Sequence, residues 1–389
     1  MSLLLIQIEG THREIALLED GQLLEYHQSA DAGQIKAEEI YLGRITRVMK
    51  NLQAAFVRLT AGQDGFLPFN EIPGGAQPMP GDILLVQVKK PPLPGKAAYM
   101  TAKLSLTGSL CMLLPNQSGI SISKRIRKDA QRRELTQLAR ALAPQGMGLF
   151  LREESLKTDR HLIAQEIESL KLQFEKIKEK ADSSTAPALI LSSPDAVLRL
   201  LRDGKDVPQK ILCNEPENLP DYGIAVTKTA NPMQLYEVAH KLQKSLRRKI
   251  HLKSGATLMI DPCEAMTVID VNTGQNIAGK DRARTLLYTN IEAAKEIARL
   301  LRLRRIGGIV LIDFIDMASS SEREEVLLSL QETLAKDPVK CSVHGFTSLG
   351  FLELTRKKTD EPLLGETLIP CPRCSGKGVI YKEEDELDA

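Results

Sequence analysis

The chain has 389 residues, a length that allows about two to four domains. Hydrophobic residues make up 42% and charged residues 26%, which excludes a wholly disordered protein. The 52 Lys and Arg residues nearly balance the 50 Asp and Glu residues, so a protein that binds nucleic acid through a uniformly basic surface is also excluded. Six scattered cysteines indicate a reducing compartment. Because no signal peptide or long apolar run is found, we expect a cytoplasmic protein with no membrane segment.

Short apolar runs at 3–8 and 14–18 predict two strands at the N-terminus. From about 38 to 104, short strand-like runs alternate with turns rich in Gly and Pro, which predicts a small barrel. Residues 125–180 are predicted to be mostly helical, and residues 189–246 mix short strands with a helix. The predicted barrel contains five aromatic residues that could stack on nucleic-acid bases or equally belong to its core: Tyr41, Phe56, Phe66, Phe69 and Tyr99.

A clear α/β pattern extends from 248 to 366. Within it, two β-prone runs in 258–272 flank a short polar turn and predict a hairpin. Asp270 and Asn272 are two residues apart, so on a strand their side chains share one face.

Residues 289–292 read Thr-Asn-Ile-Glu, a capping-box pattern that predicts the start of a helix extending to about Arg304. The apolar run at 309–316 then predicts a buried strand, in which an acid requires a specific reason. Asp313 and Asp316 are three apart and would face opposite ways on a continuous strand, so we expect only one of them to meet Asp270.

Two acids and an amide from separate strands form an oxygen-only ligand set, which suits a hard cation such as Mg²⁺. Such an ion can activate water and stabilise charge on a phosphate. The alternative is that Asp270 and Asp313 cap turns or pair with the arginines at 299–305, and spacing alone leaves both interpretations open. Basic residues in three groups near these acids suggest phosphate binding, although such runs are often only solvated: 244–249, 302–305 and 356–358.

Cys371 and Cys374 form a Cys-x-x-Cys pattern typical of a zinc knuckle. A structural zinc site needs four ligands and this pair supplies two. The other two would come from scattered residues or from a second copy of the chain. A free pair or a redox motif remains the alternative.

These motifs together resemble the ribonuclease E/G family. The segments that carry the resemblance are 264–274, 289–294, 297–304, 307–309 and 312–317, with the cysteine pair placed where the family has its zinc link. The resemblance implies an α/β multidomain protein, an RNase H-like fold with an inserted OB-fold barrel. It also implies seven segments: a first RNase H-like segment (1–35), an OB-fold RNA-binding domain (36–104), a 5′-end sensor region (105–204), a second RNase H-like segment (205–247), a DNase I-like catalytic domain (248–366), the zinc link (367–379) and an acidic tail (380–389).

The resemblance further implies a Mg²⁺-dependent endoribonuclease for RNA processing, including rRNA processing, and for RNA decay. It would hydrolyse single-stranded RNA to 5′-phosphate and 3′-hydroxyl products. Asp270 and Asp313 would hold Mg²⁺ with help from Asn272. By the same resemblance, the RNA-gripping residues are Phe56, Phe66 and Lys96. The 5′-end sensor residues are Gly108, Met112, Lys124, Arg152 and Lys340, and Zn²⁺ would be shared between chains through Cys371 and Cys374.

Three departures from the family pattern modify these expectations. Glu153 stands where better-known members have a threonine, and a carboxylate there would repel a terminal phosphate. Lys124 and Lys340 stand where some members have Arg, so bidentate geometry is lost. We therefore expect weak discrimination of 5′-monophosphorylated RNA.

The third departure is that only eleven residues follow Gly378. From this we expect that the chain lacks the small domain that lies beyond the zinc link in longer members, and that it lacks a scaffold tail for degradosome partners. We therefore predict a zinc-linked homodimer.

The competing functional class is a non-catalytic RNA-binding protein that uses the OB-fold and the basic faces. A DNA-directed nuclease is a further alternative.

Overall fold

The computed structural model describes residues 1–28, 35–92, 95–204, 207–273, 282–317, 319–359, 362–367 and 371–372. The chain is a mixed α/β protein that divides into two compact units. The first unit comprises residues 1–28 together with residues from 205 onward, and the second comprises residues 29–204. The seven predicted segments are a finer division and stay predictions.

Three antiparallel strands begin the first unit: β1 (Ser2–Glu9), β2 (His12–Glu19) and β3 (Gln22–Gln28). The first two confirm the predicted N-terminal strands, and the third was not predicted. Gly10 and Gly21 have φ angles of 61° and 77°, which glycine adopts without strain in the tight turns between the strands.

The second unit begins with a set of short strands: β4 (Ile40–Met49), β5 (Ala54–Thr60), β6 (Gln63–Pro68), β7 (Ile83–Lys90), β8 (Ala98–Thr101), β9 (Leu106–Thr107), β10 (Cys111–Leu114) and β11 (Ile120–Ile122). It continues with α1 (Asp129–Leu142), β12 (Gly148–Leu151), α2 (Arg160–Asp182), β13 (Ala188–Leu191) and α3 (Ala196–Asp203). The predicted helical stretch 125–180 therefore contains two helices separated by β12, a strand that was not predicted.

The predicted small barrel is confirmed. Its strands follow the order β4-β5-β6-β8-β7, and β7 pairs back with β4 to close the sheet. This five-stranded closed sheet is consistent with an OB fold. Gly43 allows the close approach of neighbouring strands, because a Cβ there would lie 2.3 Å from Cγ1 of Val57. Strand β13 extends the sheet beside β4.

The rest of the second unit is a four-stranded sheet in the order β11-β12-β10-β9. Helices α1 and α2 pack on it and contribute Leu135, Leu138, Ile163 and Ile167 to its core. The spacing of these residues at three and four positions matches the apolar stripe of a helix that packs on a sheet.

The first unit resumes with these elements: β14 (Lys210–Cys213), β15 (Val226–Lys228), α4 (Pro232–Leu235), α5 (Val238–Leu246), β16 (Lys249–His251), β17 (Thr257–Pro262), β18 (Met266–Asn272), α6 (Arg282–Leu303), β19 (Gly308–Asp313), α7 (Ser320–Leu334), β20 (Cys341–Phe346), β21 (Leu352–Arg356) and α8 (Leu363–Thr367). Strands β14 and β15 complete the N-terminal sheet in the order β15-β14-β1-β2-β3, with β14 parallel to β1.

A second sheet of the first unit has the order β16-β17-β18-β19-β21-β20. The predicted hairpin is confirmed as the antiparallel pair of β17 and β18. All its other neighbouring strands are antiparallel too, except β18 and β19, which are parallel. Helices α6 and α7 contribute to the core beneath this sheet, which places the ends of β18 and β19 on a rigid layer.

Candidate active site and nucleic-acid interface

The acids of the predicted metal site lie at the ends of two neighbouring strands. Asp270 on β18 and Asp313, the last residue of β19, are register partners in the parallel pair. The carboxyl ends of parallel strands meet at one edge of a sheet, so these two side chains come together there. Asp270 is half-buried and Asp313 is exposed. The strand around Asp313 is thus buried on one face only, with Val310 and Ile312 facing the core.

Asp316 also acts on this cluster. Although Asp313 is exposed, partial desolvation of its carboxyl raises its pKa, and the negative charges of Asp270 and Asp316 raise the pKa further. The expectation that only one of Asp313 and Asp316 would meet Asp270 assumed a continuous strand, but β19 ends at Asp313. Beyond that residue the chain no longer follows strand geometry, so the expectation of opposite faces does not apply to Asp316, whose charge acts on Asp313.

The electrostatic alternative for these acids does not hold. In the described ranges, no Arg or Lys forms an ion pair with Asp270 or Asp313. The arginines of 299–305 have other partners. Arg299 pairs with Glu296 at 2.6 Å, and Arg302 pairs with Glu25 at 2.7 Å. Among the described residues, the two acids therefore form a negative site that no basic side chain neutralises.

Asn272 is exposed and follows Asp270 by two residues on the same strand. Its Nδ2 donates a hydrogen bond to Oδ2 of Asp270 at 2.5 Å. This contact favours a role in which the amide orients an acid ligand over one in which it orients a substrate phosphate.

The helix that supports the site begins earlier than predicted. Helix α6 begins at Arg282, so the capping-box interpretation of 289–292 is wrong. Thr289 lies inside the helix, where its Oγ1 donates to the carbonyl of Thr285 at 2.9 Å. Glu292 accepts hydrogen bonds from the backbone N–H groups of Lys253 and Ser254.

Asn290 is a residue that sequence reasoning missed. It is fully buried in α6, and its Nδ2 donates to the carbonyl of Ile315 at 2.8 Å. The N–H of Ile315 donates to Oδ1 of Asn290 at 3.1 Å. Both backbone groups of Ile315 are thus satisfied by one side chain, which fixes the segment between Asp313 and Asp316. A polar residue on a helix face that is otherwise apolar was the available signal.

The basic groups predicted to bind phosphate are partly structural. Arg304 is buried and donates to the carbonyls of Ser245 and Arg247, each at 2.7 Å. Arg356 is buried and pairs with Asp337 at 2.8 Å. Together with Arg302, these arginines are held inside the unit because a buried guanidinium requires partners. The interpretation of 302–305 and 356–358 as phosphate-binding faces is wrong for these residues.

The residues at the acid site fit a Mg²⁺ ion. In the part of the chain that the structure describes, no three His, Cys, Asp or Glu side chains are grouped to hold a metal on their own. Mg²⁺ is commonly held by one or two carboxylates together with waters and substrate phosphates. Two carboxylates in register, one of them oriented by an amide and neither paired with a described cation, match that requirement.

A row of aromatic side chains crosses the outer face of the barrel in the second unit. Phe56 and Phe66 are register partners, and their ring centroids lie 5.8 Å apart in an edge-to-face arrangement. Tyr99 continues the row at 6.2 Å from Phe66. Arg47 lies over Phe56 at 4.9 Å, and Lys90 lies near Tyr99 at 5.8 Å. We call these three rings the aromatic row.

The two interpretations of the barrel aromatics each hold for some residues. Tyr41 and Phe69 are buried core residues. The three rings of the aromatic row are half-buried, so part of each ring is open to solvent, as stacking on bases requires. Lys96, predicted to grip RNA, is exposed two residues before β8. Among the described residues, the cations that lie over the row are Arg47, Lys89 and Lys90 and not Lys96.

Four of the five predicted sensor residues lie in the second unit. Gly108 follows β9, Met112 is half-buried on β10, and Arg152 directly follows β12. Lys124 is exposed just beyond β11, whose Ile122 pairs with Leu151. These strands are neighbours in one sheet, and the N–H of Arg152 donates to the carbonyl of Leu110.

Carboxylates lie next to Gly108 and Arg152 within the unit, although only Arg152 forms an ion pair with one. Glu166, missed by sequence reasoning, accepts hydrogen bonds from the backbone N–H groups of residues 109, 110 and 111 at 2.7–2.9 Å. A Cβ at Gly108 would lie 2.5 Å from the Glu166 carboxylate carbon. Arg152 Nη2 pairs with Asp203 at 2.9 Å.

Three predicted residues remain, and the structure describes two of them. Lys340 lies in the first unit, just before β20, where its carbonyl accepts a hydrogen bond from the N–H of Lys357. Cys371 is exposed. Cys374, the second half of the predicted zinc pair, lies outside the described residues.

Comparisons with known proteins place the chain among ribonucleases. The model of the ribonuclease E/G family matches residues 105–359. Proteins named Ribonuclease G from Escherichia coli strain K12 and Haemophilus influenzae are each 32% identical to the chain, across 98% of it and across 85% and 84% of their own lengths. Ribonuclease E from Synechocystis is 31% identical across 97% of this chain and 60% of that protein. None of the described helices is long and apolar enough to cross a membrane.

Proposed function

The chain belongs to the ribonuclease E/G family, and from this membership we propose that it is an endoribonuclease that hydrolyses single-stranded RNA at the acid site. The observation that carries the proposal is the register pairing of Asp270 with Asp313, two acids at the ends of β18 and β19 that no described Arg or Lys neutralises. The products would be fragments with 5′-phosphate and 3′-hydroxyl ends. The role would be RNA processing, including rRNA processing, and decay in the cytoplasm.

In this proposal Asp270 and Asp313 would hold Mg²⁺. The ion supplies positive charge that activates water and stabilises charge on the scissile phosphate. Asn272 orients the Asp270 carboxylate through its hydrogen bond, and Asn290 fixes the chain that follows Asp313 through Ile315. Because both acids emerge from a sheet supported by α6 and α7, their separation is set by the fold, as an electrostatically preorganised site requires.

RNA would be held by the barrel of the second unit. Phe56 and Phe66 present edge-to-face rings on its outer surface, with Arg47 over the first ring. Stacking on such rings is tolerant of base sequence, which suits an enzyme that accepts many single strands. Lys96 would add a phosphate contact near Tyr99.

The finer architecture belongs to the same proposal. The N-terminal sheet would be an RNase H-like fold, since β14 and β15 from the later segment complete it beside β1. The barrel would be an OB-fold domain, residues 105–204 a 5′-end sensor region, and the β16–β21 sheet with α6 and α7 a DNase I-like catalytic domain.

A zinc link would join two copies of the chain. Cys371 and Cys374 supply two thiolates, and a tetrahedral site needs four. A homodimer that shares one Zn²⁺ would contain about half an equivalent of zinc per chain.

The zinc link is tested by two measurements on the purified protein: its zinc content by elemental analysis and its molecular mass in solution. Cys371→Ser should release the zinc and give a monomer, while Cys263→Ser, the matched substitution of an exposed cysteine elsewhere, should change neither. One zinc per chain in a monomer, or a tetrameric mass, would contradict the proposal.

The direct test of function is cleavage of a single-stranded RNA oligonucleotide with Mg²⁺ by wild type and by Asp313→Asn. We expect cleavage by wild type, a loss of at least about 10³-fold in the variant, and equal RNA binding by both. Asp261→Asn, which alters a half-buried acid on the same hairpin that pairs with Arg248, is the matched control and should cleave normally.

The alternatives give different outcomes in this experiment. Binding without cleavage by wild type would favour a non-catalytic RNA-binding protein. Equal cleavage by wild type and Asp313→Asn would show that the acid site does not catalyse the cleavage. A DNA oligonucleotide of the same sequence should remain intact, and its cleavage would favour a DNA-directed nuclease.

A further inference from the structure

A groove on the outer face of the barrel lies next to the aromatic row. Its volume is about 570 Å³, within the range of about 300–1,000 Å³ of small-ligand sites. Strands β4 and β5 form its floor, and the chain at β13 forms one wall. The side chains that matter for its chemistry are Arg44, Thr46, Arg58, Pro187 and Leu189.

The groove contains two arginines with the same charge directly opposite each other. Arg44 on β4 and Arg58 on β5 are register partners. Like charges at directly opposed positions destabilise a sheet unless a counter-charge is present. Asp64 supplies one for Arg58, as an ion pair on the barrel surface. Arg44 is exposed, and its contact is a long hydrogen bond of 3.5 Å to the Ala186 carbonyl.

Arg44 therefore keeps a positive charge that no carboxylate in the described residues neutralises. Its guanidinium presents several donors in a fixed plane, which is the geometry that binds phosphate oxygens in pairs. Thr46, exposed on the same strand, adds a hydroxyl to the groove. The polar side of the groove is thus suited to an anion with several oxygens.

The groove is continuous with the aromatic row along one strand. Phe56 and Arg58 are two residues apart on β5, so their side chains leave the same face at a separation of roughly 7 Å. A strand whose base stacks on Phe56 therefore has Arg58 within reach of its neighbouring phosphate. The opposite wall is apolar, with Leu189 41% exposed beside Pro187.

We propose that this groove is a nucleotide subsite, in which Arg44 and Arg58 bind the RNA phosphate that neighbours a base stacked on Phe56. The wall formed by Pro187 and Leu189 receives the ribose or base of that nucleotide. The subsite rests on the proposed action on RNA and extends it, because it adds a phosphate contact beside Phe56 that neither the aromatic row nor Lys96 supplies. Asp64 competes with the phosphate for Arg58.

The test measures binding of a fluorescent single-stranded RNA by anisotropy, in EDTA and on an Asp313→Asn background so that the RNA stays intact. The double variant Arg44→Ala/Arg58→Ala should bind about tenfold more weakly. The slope of log K against log salt should fall by about 0.7, the value for one phosphate contact to a single strand. Arg133→Ala, an exposed arginine on α1 of the same unit, is the matched control and should change neither quantity.

Two further variants test the subsite without the loss of both arginines. Asp64→Asn should tighten binding by about threefold, because Arg58 is then fully available to phosphate. Arg44→Lys should keep the salt slope, because the charge remains, while losing some of the affinity. Thermal melting by circular dichroism checks that each variant is folded.

The possible outcomes separate this inference from the proposed function. If wild type binds RNA and the double variant behaves like Arg133→Ala, the subsite is wrong and the proposed function stands. If Asp64→Asn binds the RNA more weakly than the Asp313→Asn protein in which it is made, the subsite is also wrong. If the chain does not bind RNA at all, both the subsite and the proposed function are wrong.

Discussion

Asn290 holds Ile315 through both atoms of its side-chain amide. The Nδ2 donates to the Ile315 carbonyl at 2.8 Å, and the Oδ1 accepts from the Ile315 N–H at 3.1 Å. Ile315 lies between Asp313, where β19 ends, and Asp316, whose charge acts on Asp313. The helix α6 therefore determines where the chain goes after the strand, and with it the arrangement of the acids.

Asn290→Ala should impair cleavage by loosening the acid site. A buried amide that makes two hydrogen bonds contributes about 1–3 kcal/mol, most of it the cost of leaving buried partners unsatisfied. We expect a lower cleavage rate and a higher Mg²⁺ concentration for half-maximal activity, with partial recovery at high Mg²⁺. A purely structural role would lower the melting temperature and leave the Mg²⁺ dependence unchanged. Thr289→Ser, at the neighbouring helix position, is the control.

Asp270→Asn should stabilise the protein while abolishing activity. Like charges at directly opposed positions cost roughly 0.2–1 kcal/mol, and Asp270 and Asp313 are such a pair. We expect the melting temperature in EDTA to rise by about 1–4 °C. Mg²⁺ should raise the wild-type melting temperature and have a smaller effect on the variant. Asp261→Asn, which removes an ion pair with Arg248 on the same hairpin, should not raise it.

The local features of the site were predictable and the long-range ones were not. The β17–β18 hairpin follows from alternation and a polar turn within 16 residues, so the common face of Asp270 and Asn272 could be derived. The end of β19 at Asp313 could not, because the path of the chain after that residue depends on Asn290 in another element. The spacing of residues in the sequence predicts the periodicity of a helix or strand. It does not predict which residue of a different element a side chain will contact.

The same limit explains the error at residues 289–292. Thr289 and Glu292 have the residue types of a helix cap, but their polar atoms bond within α6 and to the backbone at 253–254. The prediction of phosphate-binding faces was wrong for the buried arginines for the same reason. Arg302 looks like a member of a basic face, yet its partner Glu25 is 277 positions away in β3. Only the folded chain distinguishes such a residue from a solvated one.

Tyr99→Ala should weaken RNA binding although no motif marks this residue. Its ring continues the row formed by Phe56 and Phe66, with Lys89 and Lys90 within 6 Å of its centroid. Loss of one stacking ring costs about 1–3 kcal/mol, so we expect an affinity loss of about tenfold. Tyr99→Phe keeps the ring and should bind as wild type does. Unchanged affinity in Tyr99→Ala would confine the stacking surface to the two phenylalanines.

Cleavage should depend little on the 5′-phosphate of the RNA. Arg152, the predicted phosphate ligand, is paired with Asp203 at 2.9 Å and is followed by the exposed carboxylate of Glu153. A terminal phosphate would have to displace Asp203 and tolerate the repulsion from Glu153. We expect oligonucleotides with a 5′-monophosphate, a 5′-triphosphate or a 5′-hydroxyl to be cleaved within a factor of about three, a difference below ~1 kcal/mol in the barrier.

A variant makes this expectation sharper. Glu153→Gln should speed cleavage of the 5′-monophosphate substrate and leave the 5′-hydroxyl substrate unchanged. Glu154→Gln, which alters the adjacent exposed acid, should leave both substrates unchanged. A strong preference of wild type for the 5′-monophosphate would contradict the interpretation of Glu153.

Stability in acid should depend on Glu25. Burial alone would raise the pKa of Glu25, but the hydrogen bond to His27 and the charge of Arg302 outweigh it and lower the pKa from 4.5 to about 2. Since the folded-state pKa is depressed, ionised Glu25 stabilises the folded chain above about pH 4.5, and this contribution is lost as the pH falls towards about 2. The shift corresponds to about 3 kcal/mol at neutral pH.

Glu25→Gln should therefore lower the free energy of unfolding by about 3 kcal/mol at about pH 7, as removal of one partner of a buried ion pair does. The difference from wild type should shrink as the pH approaches about 2, because wild-type Glu25 then also loses its charge. Urea unfolding across this pH range measures both effects. Glu217→Gln, which removes an exposed ion pair with Lys228 in the same unit, should change stability by less than about 1 kcal/mol. A difference between Glu25→Gln and wild type that stays constant with pH would show that Glu25 stabilises by packing and not by charge.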